Sequence, residues 1–100
     1  MPKFLLVKTS SMGDVIHNLP VVSDIRAADS EAVVDWVVED AFAAIPPMHP
    51  GVRRVIPVAL RRWRNDWISQ ASRREIRDAK ELFQAESYDL VVDTQGQVGS

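Results

Sequence analysis

The chain has 100 residues, 46% hydrophobic and 26% charged, which suits one small folded domain or part of a larger one and argues against disorder or a fibrous repeat. It has no cysteine, which excludes disulfides, thiolate metal sites and a cysteine nucleophile, and its two histidines, His17 and His49, lie too far apart in sequence to suggest zinc. A net charge of -2 does not fit a general polyanion binder, no apolar run approaches the roughly 20 residues of a membrane-spanning helix, and Met1 to Lys8 is charged too soon for a secretory signal, so a cytoplasmic protein is expected.

Phe4, Leu5, Leu6 and Val7 form a continuous apolar run with charged ends, which predicts a short buried strand over Lys3 to Lys8. The small polar residues Thr9 to Asp14 then predict a strand-to-helix turn. Val15, Leu19, Val22 and Ile25 follow helical spacing, and Pro20 is expected to kink or divide that helix. Ala32 to Val38 reads as a second strand. Asp40 to Ile45 reads as a short helix or turn, closed by Pro46-Pro47. Val52 to Val58 reads as a third strand. Leu60 to Ile68 is less regular, but Trp63 and Trp67 are four apart and would share a face in a helical turn. Ser72-Arg73-Arg74-Glu75 has capping-box spacing, with Ile76, Ala79, Leu82 and Phe83 as the apolar face of the following helix. Tyr88 to Asp93 reads as a fourth strand, followed by a turn at Thr94-Gln95-Gly96. Strands alternating with helices predict an α/β fold with a parallel sheet. Parallel sheets are normally covered on both faces, so a chain ending just after a strand reads as the front part of a longer protein.

Charge is unevenly placed. Asp14, Asp24, Asp29, Glu31, Asp35, Glu39 and Asp40 face only Arg26 in the first half. Arg53, Arg54, Arg61, Arg62, Arg64, Arg73, Arg74 and Arg77 face only Asp66 and Glu75 in the second. The basic run is either a solvated helix face or an arginine cluster suited to phosphate and carboxylate.

In open parallel sheets, ligands bind at the carboxyl ends of the strands. Thr9 to Asp14, Glu39-Asp40 and Asp93 to Gly96 occupy those ends. In the first, Ser10, Ser11 and the Gly13 backbone can donate hydrogen bonds near a helix N-terminus. Asp14 either caps that helix or, at a cleft mouth, accepts a proton from a substrate hydroxyl. His17, one turn on, reads as a partly buried residue orienting the first turn. The nicotinamide-binding glycine pattern, the Walker loop, the nucleophile elbow and the calcium-loop spacing are all absent from the sequence.

The run Val7-Lys8-Thr9-Ser10-Ser11-Met12-Gly13-Asp14-Val15-Ile16-His17-Asn18-Leu19-Pro20 resembles the opening of the lipopolysaccharide heptosyltransferases, of glycosyltransferase family 9. Asp35-Trp36-Val37-Val38-Glu39, Arg53 to Val58 leading into Arg61-Arg62-Trp63-Arg64, and Tyr88 to Gly96 resemble the same family in order and spacing. The Arg-Arg-Trp-Arg segment points to the branch that adds the first heptose of the inner core. The resemblance implies a GT-B enzyme, with residues 1–100 forming part of its N-terminal, acceptor-binding Rossmann-like domain and the C-terminal donor-binding domain lying outside this chain. It implies inverting transfer of L-glycero-D-manno-heptose from ADP-heptose to Kdo of Kdo-lipid A, without metal or cofactor. Asp14 matches the proposed catalytic base. Arg61, Arg62 and Arg64 match a basic loop expected at the anionic acceptor, and Ser10, Ser11, Gly13 and Gln95 are assigned to the same acceptor site. The expected partners are ADP-heptose, Kdo-lipid A and the inner membrane, not nucleic acid. The expected location is the cytoplasmic face of the inner membrane of a Gram-negative bacterium. Asn65 and Gly99 depart from the family, which commonly carries lysine at both positions. These residues alone are expected to be inactive. The competing readings are a non-enzymatic module using the arginines on anionic lipid or nucleic acid, and an inactive remnant.

Overall fold

The computed structural model describes residues 2–94. β1 (Lys3–Val7), β2 (Val33–Glu39), β3 (Val52–Val58) and β4 (Leu90–Asp93) form one parallel sheet in the order β3-β2-β1-β4. This is the α/β architecture expected, with the 3-2-1-4 order that begins a Rossmann sheet. The order changes direction between β1 and β4, so the carboxyl ends of those two strands flank a switch point where such sheets leave a crevice.

Two layers of helix cover the sheet. α1 (Met12–His17) and α2 (Leu19–Ala28) pack on one face. There Val15 and Val22 meet Leu6, Val34, Trp36 and Val38, all fully buried. Alternation along β2 sends Val34, Trp36 and Val38 to this face and Asp35, Val37 and Glu39 to the other. α3 (Leu60–Asn65) and α4 (Gln70–Gln84) lie on that second side. The cover there is thinner: Leu5 and Ile56 are buried, but Val91 on β4 and Phe83 on α4 are half exposed.

Pro20 divides the first helix, as the sequence predicts. It occupies an N-terminal position of α2, where a missing N–H costs nothing, and Asn18 ends α1 and opens α2. Two assignments change. α4 starts one turn early: its N-cap is Ser69, whose Oγ accepts from the Ser72 N–H at 3.1 Å, so Ser72 is an interior, buried helical residue. Glu75, the other end of the expected capping box, is instead bound by side chains of α3. Trp63 and Trp67 do not share a helical face, because α3 ends at Asn65; Trp63 is half buried and Trp67 is 59% exposed. Ser69→Ala should therefore cost about 1 kcal/mol in urea unfolding, with Ser69→Asp largely retaining stability.

In the sequence Asp35 is one acid of the acidic first half and opens the family-like segment Asp35-Trp36-Val37-Val38-Glu39. It is a fully buried carboxylate. Arg53 donates to it at 3.1 and 2.6 Å, Arg54 at 3.3 Å from two nitrogens, and the Tyr88 hydroxyl at 2.5 Å. Consecutive strand residues normally point to opposite faces. An irregularity in the β2–β3 register at Val34/Asp35 leaves Arg53 as an extra residue, which lets both arginines reach one acid. Arg53 and Arg54 are thus structural and near the amino ends of the strands, away from the crevice.

Candidate functional site

The turn after β1 and helix α3 after β3 face each other across a cleft of about 510 Å³, lined by Thr9, Ser10, Ser11, Glu39, Ala41, Phe42, Leu60, Arg61 and Arg64. Three chain segments thus meet at the carboxyl ends of β1, β2 and β3. Arg61 and Arg64 are three residues apart and share one face of a helix. Both are exposed, and neither has an ion pair or hydrogen bond among the described residues.

Arg62, between them, points elsewhere. It donates to Glu75 at 2.5 Å, lies 4.0 Å from Asp40, and Trp63 Nε1 donates to the same Glu75 oxygen at 2.9 Å. Those donors hold the Glu75 carboxyl below the ordinary carboxylate range. Arg62 therefore joins α3 to α4 across a smaller crevice of about 160 Å³, and its charge is already matched.

The helix expected after Asp14 begins at Met12, so Gly13 and Asp14 lie in its first turn. N–H groups there have no intrahelical carbonyl to donate to. The Asp14 Oδ2 accepts from the Ser11 N–H at 3.3 Å and from the Ser11 hydroxyl at 3.5 Å. Asp14 is thus a helix-capping residue, yet it is exposed, and its Oδ1 has no partner among the described residues. One oxygen holds the turn and the other is open. A methyl group on Gly13 would meet nothing within 4 Å, so the backbone there also faces open space. The Ser10 side chain has no hydrogen bond among the described residues. α1 is only six residues long, so positive potential for an anion comes from Arg61 and Arg64 across the cleft.

His17 is exposed and makes no bond to Asp14, in contrast to the partly buried orienting role expected of it. Asn18 does that work. Its Nδ2 donates to the Asp14 carbonyl at 2.8 Å and its Oδ1 accepts from the Thr94 hydroxyl at 3.0 Å. Thr94 follows β4, and its N–H also donates to the Val7 carbonyl at 3.2 Å. Asn18 thereby ties the Asp14 helix to the far side of the switch point. Sequence reasoning missed this pair, whose only signal was a polar residue just ahead of Pro20. Gln95 lies outside the described residues.

No protein-family model matches the chain. Over 98 residues it is 52% identical to lipopolysaccharide heptosyltransferase 1 of Escherichia coli K12, which covers 98% of this chain and 31% of that protein. It is 51% identical over 94 residues to lipopolysaccharide heptosyltransferase 1 of Pseudomonas aeruginosa, covering 94% of this chain and 26% of that one. The backbone matches E. coli heptosyltransferase WaaC, solved with ADP, at a TM-score of 0.89 and 51% identity, over 98% of this chain and 31% of that chain.

The chain is a relative of the lipopolysaccharide heptosyltransferases.

The resemblance drawn from four sequence segments is thereby borne out, including its branch. A glycosyltransferase family 9 protein from Veillonella parvula shares the fold at a TM-score of 0.73 and 19% identity, over 94% of this chain and 26% of that one. The chain spans about a third of the length of the heptosyltransferases it matches. Among the described residues no helix is long and apolar enough to cross a membrane, and no group of three or more potential metal ligands occurs.

Proposed function

We propose that this chain is the acceptor side of an inverting GT-B heptosyltransferase. The complete enzyme transfers L-glycero-D-manno-heptose from ADP-heptose to Kdo of Kdo-lipid A in the lipopolysaccharide inner core. The observation that carries the reading is the cleft: two unpaired arginines stand on one wall, and Ser11 on the other is bonded to Asp14, which lies just behind that wall in the first turn of α1 with its second carboxylate oxygen open. The likeness to WaaC solved with ADP-2-deoxy-2-fluoro heptose, at 51% identity, supports a nucleotide-sugar donor.

In this reading Arg61 and Arg64 hold carboxylate or phosphate groups of the acceptor, and Ser10, Ser11 and the Gly13 backbone orient it. Asp14 Oδ1 takes the proton of the attacking Kdo hydroxyl. The hydroxyl oxygen bonds to the anomeric carbon as the bond from that carbon to the terminal phosphate oxygen of ADP breaks. ADP leaves with the electron pair, and attack opposite to it inverts the centre. Groups that hold ADP come from outside residues 1–100, so this stretch alone does not turn over. Peripheral contact with the anionic cytoplasmic face of the inner membrane belongs to the same proposal. Trp67 and Ile68, 59% and 66% exposed between Arg64 and Arg73, supply apolar groups flanked by cations of the kind that bind such a surface.

The test is transfer by the complete enzyme from ADP-heptose to a Kdo-terminated acceptor, with the new linkage read by NMR. One new glycosidic bond of inverted configuration is expected. A retained configuration, or transfer only to acceptors lacking Kdo, would refute the assignment.

A further inference from the structure

Glu39 ends β2, half buried, and lines the cleft between the serine turn and the arginine helix. Its main chain and side chain hold opposite walls. The Glu39 N–H donates to the Thr9 carbonyl at 2.9 Å, where the serine turn begins. Its Oε2 accepts from the Leu60 N–H at 3.1 Å, at the first residue of α3.

α3 has six residues, far below the length at which a helix persists unaided, and its own N-cap residue, Ala59, offers no side-chain acceptor. Glu39 supplies that acceptor from another element. With Arg62 and Trp63 anchoring the other side of α3 on Glu75, the helix is fixed so that Arg61 and Arg64 face the serine turn.

A cap needs only an acceptor oxygen, which a neutral amide also provides. The carboxylate adds a negative charge to the wall of a cleft whose arginines are open to an anion. We propose that Glu39 is a positioning residue with two opposed effects. Its hydrogen bond to Leu60 aims Arg61 and Arg64 at the serine turn, and its charge weakens their hold on the anion, so that bound ligand exchanges. This rests on the reading of the cleft as an anion site.

The two effects separate in two variants. Glu39→Gln keeps the acceptor and removes the charge, whereas Glu39→Ala removes both. Inorganic phosphate, titrated against the side-chain NMR signals of Arg61 and Arg64 at low salt, is expected to bind Glu39→Gln about two- to fivefold more tightly than wild type. It is expected to bind Glu39→Ala at least about threefold more weakly than Glu39→Gln, because the arginine helix has lost its anchor. Hydrogen exchange at the Leu60 amide needs no ligand: it is expected to be slow in wild type and Glu39→Gln and fast in Glu39→Ala. Equal protection of Leu60 in all three proteins, or equal phosphate affinity in the two variants while binding still depends on Arg61 and Arg64, overturns the role of Glu39 and leaves the anion cleft standing. Phosphate binding unchanged in an Arg61→Ala/Arg64→Ala protein, read there from the backbone amide signals of Ser10 and Ser11, removes the anion cleft, and the proposal with it.

Discussion

Asp14→Asn should leave the fold intact and lower kcat of the complete enzyme by about a hundredfold to ten-thousandfold, the range for loss of a general base. The amide oxygen can still accept from Ser11, as the Asp14 Oδ2 does at 3.3 Å, so the first turn of α1 stays capped. What it cannot do is take up the proton of the attacking hydroxyl. KM for the acceptor should move little, because in the proposed function its anionic groups go to Arg61 and Arg64, not to Asp14. Unfolding in urea serves as the control: a midpoint within experimental error of wild type, together with collapsed turnover, assigns Asp14 to chemistry. Near-normal kcat would return it to capping alone.

The second large effect is on stability and lies at the other end of the strands. Asp35→Ala should cost about 3 kcal/mol, the low end for removing one partner of a buried ion pair. The low end applies because the side chains of Arg53 and Arg54 are 37% and 29% exposed and can be rehydrated. Arg53→Ala/Arg54→Ala should cost more, about 5 kcal/mol, because it leaves a buried carboxylate with no cation beside it and only the Tyr88 hydroxyl as donor. The network also sets an acid limit. Burial pushes the Asp35 carboxyl up, but hydrogen bonds from Arg53 and Tyr88 and the charges of both arginines outweigh it, so the group sits below its ordinary value. Unfolded Asp35 therefore takes up its proton near pH 4, while the folded protein resists. Its contribution is fully present above that pH and is lost as pH falls through the lower folded value. Urea midpoints should be flat in Asp35 terms above about pH 5 and fall below it, and Asp35→Asn should flatten that fall. An equally steep acid limb in Asp35→Asn would contradict the assignment.

The strands were legible because each is a short, largely apolar run: β3 occupies the expected span, β1 ends one residue early, β2 is shifted by one residue, and β4 begins two residues later than Tyr88. Pro20 was legible because its geometry permits few positions in a helix. Long-range partnerships were not legible. Ser72-Arg73-Arg74-Glu75 has the local spacing of a capping box, but Ser69 is also a good N-cap and Glu75 gains more from Arg62 and Trp63 than from a helix end. The role of Asp35 was not legible, because nothing local announces that Arg53, Arg54 and Tyr88 converge on it. At the candidate site, strand-end position alone singled out Ser10, Ser11, Asp14 and Glu39. The division of labour among the arginines needed the neighbours of α3: Arg61 and Arg64 line the cleft, whereas Arg62, which borders a second crevice together with Arg61, is taken by Glu75 of α4. Glu39 as anchor of α3 could not be read locally, since its partner is 21 residues away in sequence.

That division of labour offers the most direct test that the cleft is the acceptor site. The measurement is the dissociation constant of a Kdo-bearing, phosphorylated acceptor for the complete enzyme at low and high salt, in wild type, Arg61→Ala/Arg64→Ala, Arg61→Lys/Arg64→Lys and Arg62→Ala. Loss of Arg61 and Arg64 should weaken binding by about tenfold or more at low salt. Lysine should restore only part of it, because it lacks the bidentate fork, and the difference from wild type should shrink as salt screens the contacts. Arg62→Ala should bind acceptor nearly as wild type does, since Arg62 is committed to Glu75. Equal acceptor affinity in all four proteins at low salt, or a loss confined to Arg62→Ala, would contradict the acceptor assignment of this cleft.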